Sequence, residues 1–162
     1  MTASPADRER VAALLGRVPQ GAFEVVVRST DGDPAVLVNA PLLDDCTPMP
    51  TRFWLVHPGL RAAIGTLESH GGVRRAEAEL DAEAIARAHA SHGAERDAAL
   101  PEGHQGPKPF GGVGGTRRGV KCLHAHYAHW LAGGADPVGA WTHDQLLETG
   151  LMPADAPERI TP

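Results

Sequence analysis

The sequence predicts a single α+β domain, in which a small antiparallel sheet of about three strands packs with four to five helices. Apolar residues repeat with period two at 21–29 and 35–39, and with helical period before and after these segments. No internal repeat and no linker separates two hydrophobic segments. The length of 162 residues suits one domain of ordinary size. We expect this domain to span residues 1–150 and to be followed by a loose C-terminal tail at 151–162.

The first predicted element is a helix that begins at Pro5. Ser4 precedes it and can accept a hydrogen bond from a free amide of the first turn, while proline fits the first helical position. Gly16 is expected to end the helix. Its apolar face is formed by Val11, Leu14 and Leu15.

Three strands are predicted next. Apolar side chains alternate in GAFEVVVRS at 21–29, which is the period of a strand. An Asp-Gly-Asp-Pro turn at 31–34 leads to a second strand at 35–39, which we expect to pair with the first strand as a hairpin. An ordered loop at 40–51 contains three prolines and precedes a third strand at 52–57.

Helices are predicted for most of the remaining chain. One begins at Pro58 and ends at a pair of glycines near residue 71. Another spans about 81–100, and because its apolar face is thin, we expect it to be peripheral or to pack against a partner. The non-periodic stretch 101–118 is long for a loop in a compact domain, which is typical of functional loops. Two further helices are expected at about 119–132 and at 136–147.

Composition argues against several classes of protein. A net charge of −5 argues against nucleic-acid binding, no apolar run approaches the roughly 20 residues of a membrane span, and no secretory signal is visible. Two cysteines cannot form a disulfide framework. We therefore expect a cytoplasmic protein with reduced thiols and no nucleic-acid or membrane partner. A protein partner or a second copy of the chain stays open.

Nine histidines are many for this length, and three of them follow Cys122 in one predicted helix. At 100° per residue, Cys122, His126 and His129 fall within about 60° of arc on one face, while His124 falls nearly opposite. One thiolate and two imidazoles suit Zn²⁺, with Fe²⁺ or copper as alternatives. The pattern therefore predicts a transition-metal site on this helix, most naturally for zinc.

A fourth ligand would have to come from elsewhere. His57 at the end of the third predicted strand is the first candidate and Cys46 the second, and His104 and His124 are further candidates. Two other interpretations stay open, because no established metal-binding spacing such as CxxC is present. The histidines could form a polar face beside a buried Cys122. Alternatively, Cys122 could be a metal-free nucleophile whose pKa is lowered near a helix N-terminus by basic neighbours.

Glycine is concentrated just before this helix, in GGVGGTRRGVKC. Glycines allow backbone N–H groups to turn toward one point, and the basic residues that follow add positive charge, which is typical of an anion site. No acidic residue occurs between Glu102 and Asp136. A solvated surface loop is the alternative. The predicted anion-binding residues are Gly114, Gly115, Thr116, Arg117, Arg118 and Lys121.

The proline-rich loop at 40–51 contains another candidate. Asp45, with Asp44 and Thr47, could act as a general base or supply oxygen ligands. The alternative is a rigid turn in which the aspartates accept hydrogen bonds from backbone amides. The other histidines stand alone in the sequence and are expected at the surface; they are His70, His89, His92 and His143.

Several of these segments resemble a known bacterial family. NAPLLDDCTPMPTRFWLVHP, GGVRRAEAE and GGVGGTRRGVKCLHAHYAHWLAGG occur in this order, which is similar to the domain of unknown function 501, common in actinobacteria, over about residues 8–142. The resemblance implies no activity. Many members have Cys-Pro where this chain has His57 and Pro58, and a metal-ligand position tolerates that exchange, so the resemblance favours His57 as a ligand. It disfavours Cys46, because other members often have glycine there.

The sequence as a whole predicts a transition-metal site beside a basic, glycine-rich anion loop. If the protein is an enzyme, metal-assisted hydrolysis of a phosphorylated or acidic small molecule is the most natural reaction, with Cys122 or Asp45 as candidate catalytic residues. The alternative is a non-enzymatic binding or scaffold module with a structural metal or with none. An open coordination position would favour catalysis, and four protein ligands would favour a structural role.

Overall fold

The computed structural model of the chain describes residues 2–162. In these residues it has a three-stranded antiparallel sheet and six α-helices, so the predicted α+β fold is confirmed and the predicted number of helices is wrong. The strands are β1 (Phe23–Arg28), β2 (Pro34–Asn39) and β3 (Phe53–Leu55). The helices are α1 (Pro5–Leu15), α2 (Pro58–Ser69), α3 (Gly72–Glu79), α4 (Ala82–Ala98), α5 (Leu123–Leu131) and α6 (Pro137–Glu148), and a 3₁₀ turn lies at Val113–Gly115. Within the described residues, no helix combines the length and apolar character needed to cross a membrane.

The helix missing from the prediction is α3, which follows α2 after a two-residue connection. Gly71 in this connection has a φ of 80°, a conformation that favours glycine, and it turns the chain from α2 into α3. The residues of α3, GVRRAEAE, are mostly charged, and only Gly72 and Ala76 are buried. A helix this short and polar has no hydrophobic period by which to predict it.

The sheet has the order β1-β2-β3, with β2 in the centre and all of its residues buried. One face, which includes Phe23 and Leu37, packs with Val11 of α1. The other face, which includes Val36 and Leu55, packs with the helices that follow the sheet in the chain. The sheet is therefore covered on both faces, with α1 on one side and the remaining helical layer on the other.

Helix α5 lies at the centre of the helical layer and contacts β3, α2 and α6. Its apolar side is fully buried and consists of Leu123, Tyr127, Ala128 and Leu131. Gly139 of α6 packs directly on the side chain of Trp130 and the carbonyl of His126, with no room for a Cβ atom. This close approach places Asp136, the N-cap residue of α6, beside α5.

Helix α4 is not peripheral, which corrects the prediction. One side of it packs against α6 and the 3₁₀ turn. Besides Ile85 and Ala88, this side carries His89, His92 and Arg96, which are 6%, 1% and 2% exposed. The prediction that His89 and His92 lie at the surface is therefore wrong. Polar residues therefore complete the buried side of α4 beside its few apolar residues. Their burial is tolerated because hydrogen bonds satisfy most of their polar atoms.

The C-terminal tail at 151–162 contains no helix or strand but is attached to the domain. The guanidinium of Arg159 donates to the carbonyl oxygen of Trp130, and the amide of Ile160 donates to that of Leu131. Both acceptors belong to the end of α5, where helical carbonyls lack partners within the helix. The tail is thus docked rather than loose.

Candidate functional site

Helix α5 begins one residue after Cys122, later than predicted, and this late start determines where the Cys122 side chain lies. Cys122 is the N-cap residue in an extended conformation, and its Sγ accepts the amide of Ala125 at 3.4 Å. A common face for Cys122, His126 and His129 requires helical geometry already at Cys122. The structure therefore separates Cys122 from these two histidines and places it with His124.

Three side chains meet at the start of α5, those of Glu68, Cys122 and His124. A carboxylate oxygen, the Sγ and a ring nitrogen lie within 4.8 Å of one another, and all three residues are partly buried. Glu68 comes from the last turn of α2, and its Oε1 accepts the amide of Leu123 at 2.6 Å. Amides at the helix start thus hold both the carboxylate and the sulfur in place.

Both ring nitrogens of His124 have close neighbours. Nε2 lies 3.0 Å from the carbonyl oxygen of Arg61, which can only accept, so Nε2 donates. In a neutral ring Nδ1 then presents a lone pair, and it lies 3.2 Å from Oε1 of Glu68. Two acceptors this close require a cation, which is either a proton on Nδ1 or a metal ion. A tetrahedral zinc site has an N···O edge of about 3.3 Å, close to the observed separation.

The environment of the Cys122 thiol favours its protonated form in the absence of a metal. Burial raises the pKa of this thiol, the hydrogen bond from Ala125 lowers it by less, and the nearby Glu68 raises it again. A metal-free nucleophile would need a lowered pKa, so the raised pKa disfavours this interpretation of Cys122. A bound metal would instead displace the proton, because metals bind the thiolate.

Cys122 and His124 line a cleft between the end of α1, β3 and the start of α5. The cleft has a volume of about 430 Å³, which is in the range of small-molecule sites. Its other lining residues include four apolar and three cationic side chains, Leu15, Phe53, Trp54 and Leu55, and Arg17, Arg61 and Lys121. Two of the three clustered residues therefore face a space in which a small molecule fits.

The other two histidines of α5 form a separate group around Asp136. His126 and His129 donate from Nδ1 to the Asp136 carboxylate at 2.8 and 2.9 Å. Oδ1 of Asp136 also accepts the amides of Val138 and Gly139 at the start of α6. His126, His129 and Asp136 are all buried. This arrangement fits the alternative interpretation of the histidines as a polar network better than the predicted metal site.

Burial and hydrogen bonding together determine the charges in this group. Burial alone would raise the pKa of Asp136, but the hydrogen bonds from His126 and His129 outweigh it and lower that pKa below its usual value. Burial lowers the pKa of His92 to about 3, and nearby His129 and Arg96 contribute. Nδ1 of His92 has no hydrogen-bond partner in residues 2–162. His92 is therefore neutral in the folded protein at pH 7.

Acid should destabilise the protein through His92. In the unfolded chain a histidine binds a proton below about pH 6.5, whereas in the fold His92 does so only near pH 3. Its contribution to stability is therefore complete above pH 6.5 and is lost as the pH falls from 6.5 toward 3. Between pH 6.5 and 4.5 this group should remove about 2 kcal/mol from the free energy of unfolding, measured by urea denaturation.

Two variants isolate this effect. His92→Gln has no titrating side chain at the buried position and should show a flatter pH dependence than the wild type. His70→Gln changes an exposed histidine and should keep the wild-type slope. If the slope of His92→Gln equals that of the wild type, another group causes the acid sensitivity.

His57 lies at the N-terminus of α2, apart from the cluster that contains Cys122. Its Nδ1 accepts the amide of Leu60 at 3.1 Å, and its Nε2 lies 3.3 Å from a carboxylate oxygen of Asp155 in the C-terminal tail. The ring is buried. His57 thus caps α2 and joins the tail to it, and the structure does not bring it to the other predicted ligands.

The remaining candidates lie in loops and make local contacts. Oδ1 of Asp45 accepts the amide of Thr47 at 2.9 Å, and this backbone hydrogen bond lowers the pKa of Asp45. Cys46 is exposed, with a φ of 65°. Nε2 of His104 lies 3.0 Å from the carbonyl of Pro107. Among the described residues, none of these candidates joins the cluster at the start of α5.

The glycine-rich loop is shaped by its contacts with α4. His89 accepts the amide of Val113 at 3.0 Å through Nδ1 and donates to the carbonyl of Gly119 at 2.7 Å through Nε2. Gly112 lies so close to His89 that a Cβ atom would have no space. The amides of Gly112 and Gly115 donate to carbonyls inside the loop. These amides therefore hold the loop together, and they do not form the predicted anion cradle.

The predicted anion-binding residues are divided between two surfaces. Gly114 and Lys121 line the cleft beside Cys122, and Nζ of Lys121 donates to the carbonyl of Gly114 at 3.1 Å. Arg117 and Arg118 line a separate surface depression, together with Phe110, Gly115 and Thr116. Only part of the predicted loop thus adjoins the candidate metal ligands.

Sequence reasoning missed Glu68, Arg17 and Arg61. These residues are far from Cys122 in the chain, and no local pattern marks them. Glu68 and Arg61 reach α5 only because α2 packs against it. Asp136 did have a signal, because an aspartate followed by proline at a helix start is typical of an N-cap.

A comparison with protein families matches residues 25–144, more than half of the chain, to a family described as a protein of unknown function (DUF501). The matched region contains the sheet from Val25 onward and all three clustered residues, Glu68, Cys122 and His124. No curated protein and no solved structure matches the chain.

Proposed function

The chain belongs to the DUF501 family, and on that premise we propose that it binds a transition metal through Glu68, Cys122 and His124. The observation that carries this proposal is the meeting of three metal-ligating side chains, in which Nδ1 of His124 lies 3.2 Å from Oε1 of Glu68. The Sγ of Cys122 lies within 4.8 Å of a carboxylate oxygen of Glu68 and of a ring nitrogen of His124. A metal ion would accept all three lone pairs and remove the conflict between the two acceptors.

Zinc fits this set of ligands best. A thiolate, an imidazole and a carboxylate are all ligands found in zinc sites, and zinc has no strong geometric preference of its own. The two anionic ligands, Cys122 and Glu68, together balance the charge of a divalent ion. Fe²⁺ is the alternative, because imidazole and carboxylate ligands also suit it.

A metal held by these residues would lie beside the cleft, because Cys122 and His124 both line it. Three protein ligands leave room for water in a tetrahedral site, as in catalytic zinc sites. We propose metal-assisted hydrolysis of a phosphorylated or acidic small molecule. For a phosphate ester, the water oxygen would form a new bond to phosphorus, the ester P–O bond would break, and the proton lost by water would pass to the leaving alcohol oxygen. A metal held by Glu68, Cys122 and His124 would supply Lewis-acid assistance to this reaction. Lys121 and Arg61 would balance the charge of the substrate.

A structural metal in a non-enzymatic module is the alternative function. It would need a fourth protein ligand, and within residues 2–162 no further His, Cys, Asp or Glu joins the cluster. Binding of a protein partner or of a second copy of the chain stays a prediction. The face of α4 predicted to contact a partner is buried inside the domain and does not support this prediction.

Metal analysis tests the proposed centre. Protein purified without chelator and loaded with zinc should hold about one zinc per chain after dialysis. Cys122→Ser and His124→Ala should each reduce this content strongly, because each removes one ligand. Cys46→Ser is the matched control, since it changes an exposed thiol outside the cluster, and it should keep the metal.

Two results would contradict the proposal. One is a wild-type content below about 0.1 zinc per chain, and the other is an equal loss of zinc in Cys46→Ser and Cys122→Ser. Hydrolysis is tested separately with phenyl phosphate. Zinc-loaded protein should release inorganic phosphate and metal-free protein should not, and equal rates would exclude a role of the metal in the reaction.

A further inference from the structure

Three cationic side chains surround the cleft at the start of α5. Arg17, Arg61 and Lys121 all line it, and within residues 2–162 none of them forms an ion pair with a carboxylate. The lining side chains therefore carry about three positive charges, and the Glu68 carboxylate beside Cys122 and His124 leaves a local charge of about +2, although the chain has a net charge of −5. Such a space attracts anions.

Each cation retains hydrogen-bond donors that no protein group uses. Lys121 uses one of its three N–H donors on the carbonyl of Gly114, and Arg61 uses one of its five on the carbonyl of Leu14. Arg17 donates to no other described residue, and its guanidinium lies 5.1 Å from the centre of the Trp54 ring. The cleft thus has enough free donors for the several oxygen atoms of a phosphate group.

The side of the cleft formed by β3 is apolar. Trp54, Phe53 and Leu55 come from β3, and Leu15 comes from the end of α1. Trp54 lines the cleft and is only partly buried, and the Arg17 guanidinium lies over its ring. A flat apolar group can pack against this ring, and aromatic rings favour such contacts.

We propose that this cleft binds a small aromatic phosphate monoester, with its ring against Trp54 and its phosphate among Arg17, Arg61 and Lys121. Three cations suit a dianion such as phosphate better than a single carboxylate, and about 430 Å³ accommodates a small molecule. A small aromatic phosphate monoester would be the substrate class of the proposed metal centre. Its hydrolysis rests on that proposed function, whereas its binding to the cleft does not.

The surface of the glycine-rich loop is a competing location for an anion. Arg117 and Arg118 lie there, and the guanidinium of Arg117 is 4.8 Å from the centre of the Phe110 ring. Both arginines are exposed, as are Arg17, Arg61 and Lys121, so exposure alone does not tell which location an anion prefers. Variants at the two surfaces therefore distinguish the two locations.

The test uses metal-free protein and phenyl phosphate as the probe, measured by calorimetric titration. We expect saturable binding that is about tenfold tighter than that of inorganic phosphate, because the ring adds apolar contact, and no measurable binding of phenol. Arg17→Ala and Arg61→Ala should each weaken binding roughly tenfold. Trp54→Leu should abolish the preference for phenyl phosphate over inorganic phosphate.

Two controls accompany these variants. Arg74→Ala removes a charge from an exposed position of α3, and the double variant Arg117→Ala, Arg118→Ala removes the loop charges. Both should bind phenyl phosphate as the wild type does. Thermal denaturation of each variant shows whether it is folded.

The proposal is overturned if metal-free protein does not bind phenyl phosphate. It is also overturned if the Arg117, Arg118 double variant loses binding while Arg17→Ala and Arg61→Ala retain it. The zinc content of the protein tests the proposed metal centre independently of phenyl phosphate binding. Binding of phenyl phosphate without any zinc content would support the cleft and contradict the metal centre, and zinc without binding of phenyl phosphate would do the reverse.

Discussion

Replacement of Asp136 by alanine should lower the free energy of unfolding by about 3–5 kcal/mol. The Asp136 carboxylate accepts hydrogen bonds from His126 and His129 and from the amides of Val138 and Gly139. Asp136 is 3% exposed, so water cannot replace these bonds without opening the contact between α5 and α6. The variant would leave four buried donors without a partner, each of which costs free energy. Urea denaturation followed by circular dichroism measures the loss.

Asp81→Ala is the matched control for this prediction. Asp81 is also an N-cap aspartate, and it accepts the amides of Glu83 and Ala84 at the start of α4, but it is exposed and contacts no histidine. Its loss should cost only about 1 kcal/mol. Similar losses in Asp81→Ala and Asp136→Ala would mean that capping alone explains Asp136 and that the two histidines contribute nothing.

Arg96→Met should lower the free energy of unfolding by about 3 kcal/mol and release the glycine-rich loop. The guanidinium of Arg96 is buried and donates to the carbonyl oxygens of Gly111 at 2.8 Å, Pro109 at 3.2 Å and Phe110 at 3.3 Å. Methionine fills a similar space but has no donor, so these carbonyls would lose their partner. Urea denaturation gives the loss of stability, and amide hydrogen exchange at 109–116 reports the release of the loop.

Arg87→Met on the same helix is the control. The Arg87 side chain is 71% exposed, so its removal should change stability by less than about 0.5 kcal/mol and leave hydrogen exchange in the loop as it is in the wild type. If Arg96→Met keeps slow exchange at 109–116, other contacts hold the loop and the role assigned to Arg96 is wrong.

The buried polar face of α4 also bears on the cleft. His89 and Arg96 hold the loop that ends at Lys121, and Gly114 in that loop lines the cleft and accepts a hydrogen bond from Lys121. A helix that the sequence predicts to be peripheral thus positions one of the three cations of the proposed binding site. Helix α4 is therefore structural for the cleft although it supplies none of the residues that line it.

Parts of the candidate site could be predicted from the sequence. Cys122 and His124 belong to the predicted set of metal ligands, and the residue types of that set suit zinc. The helical projection nevertheless selected His126 and His129 as the partners of Cys122. It failed because it treats every residue of the segment as helical, and the extended conformation of Cys122 changes the direction of its side chain.

The sequence by itself determined the features that depend on neighbours in the chain. These include the strands β1 and β2, whose period-two pattern needs no distant contact, and the cap at Ser4, which accepts the amide three residues further on. Only the tertiary structure decided that Glu68 meets His124 and that Asp136 accepts from two histidines. The physical reason is that these contacts depend on how α2 and α6 pack on α5, and packing is set by side chains from the whole chain.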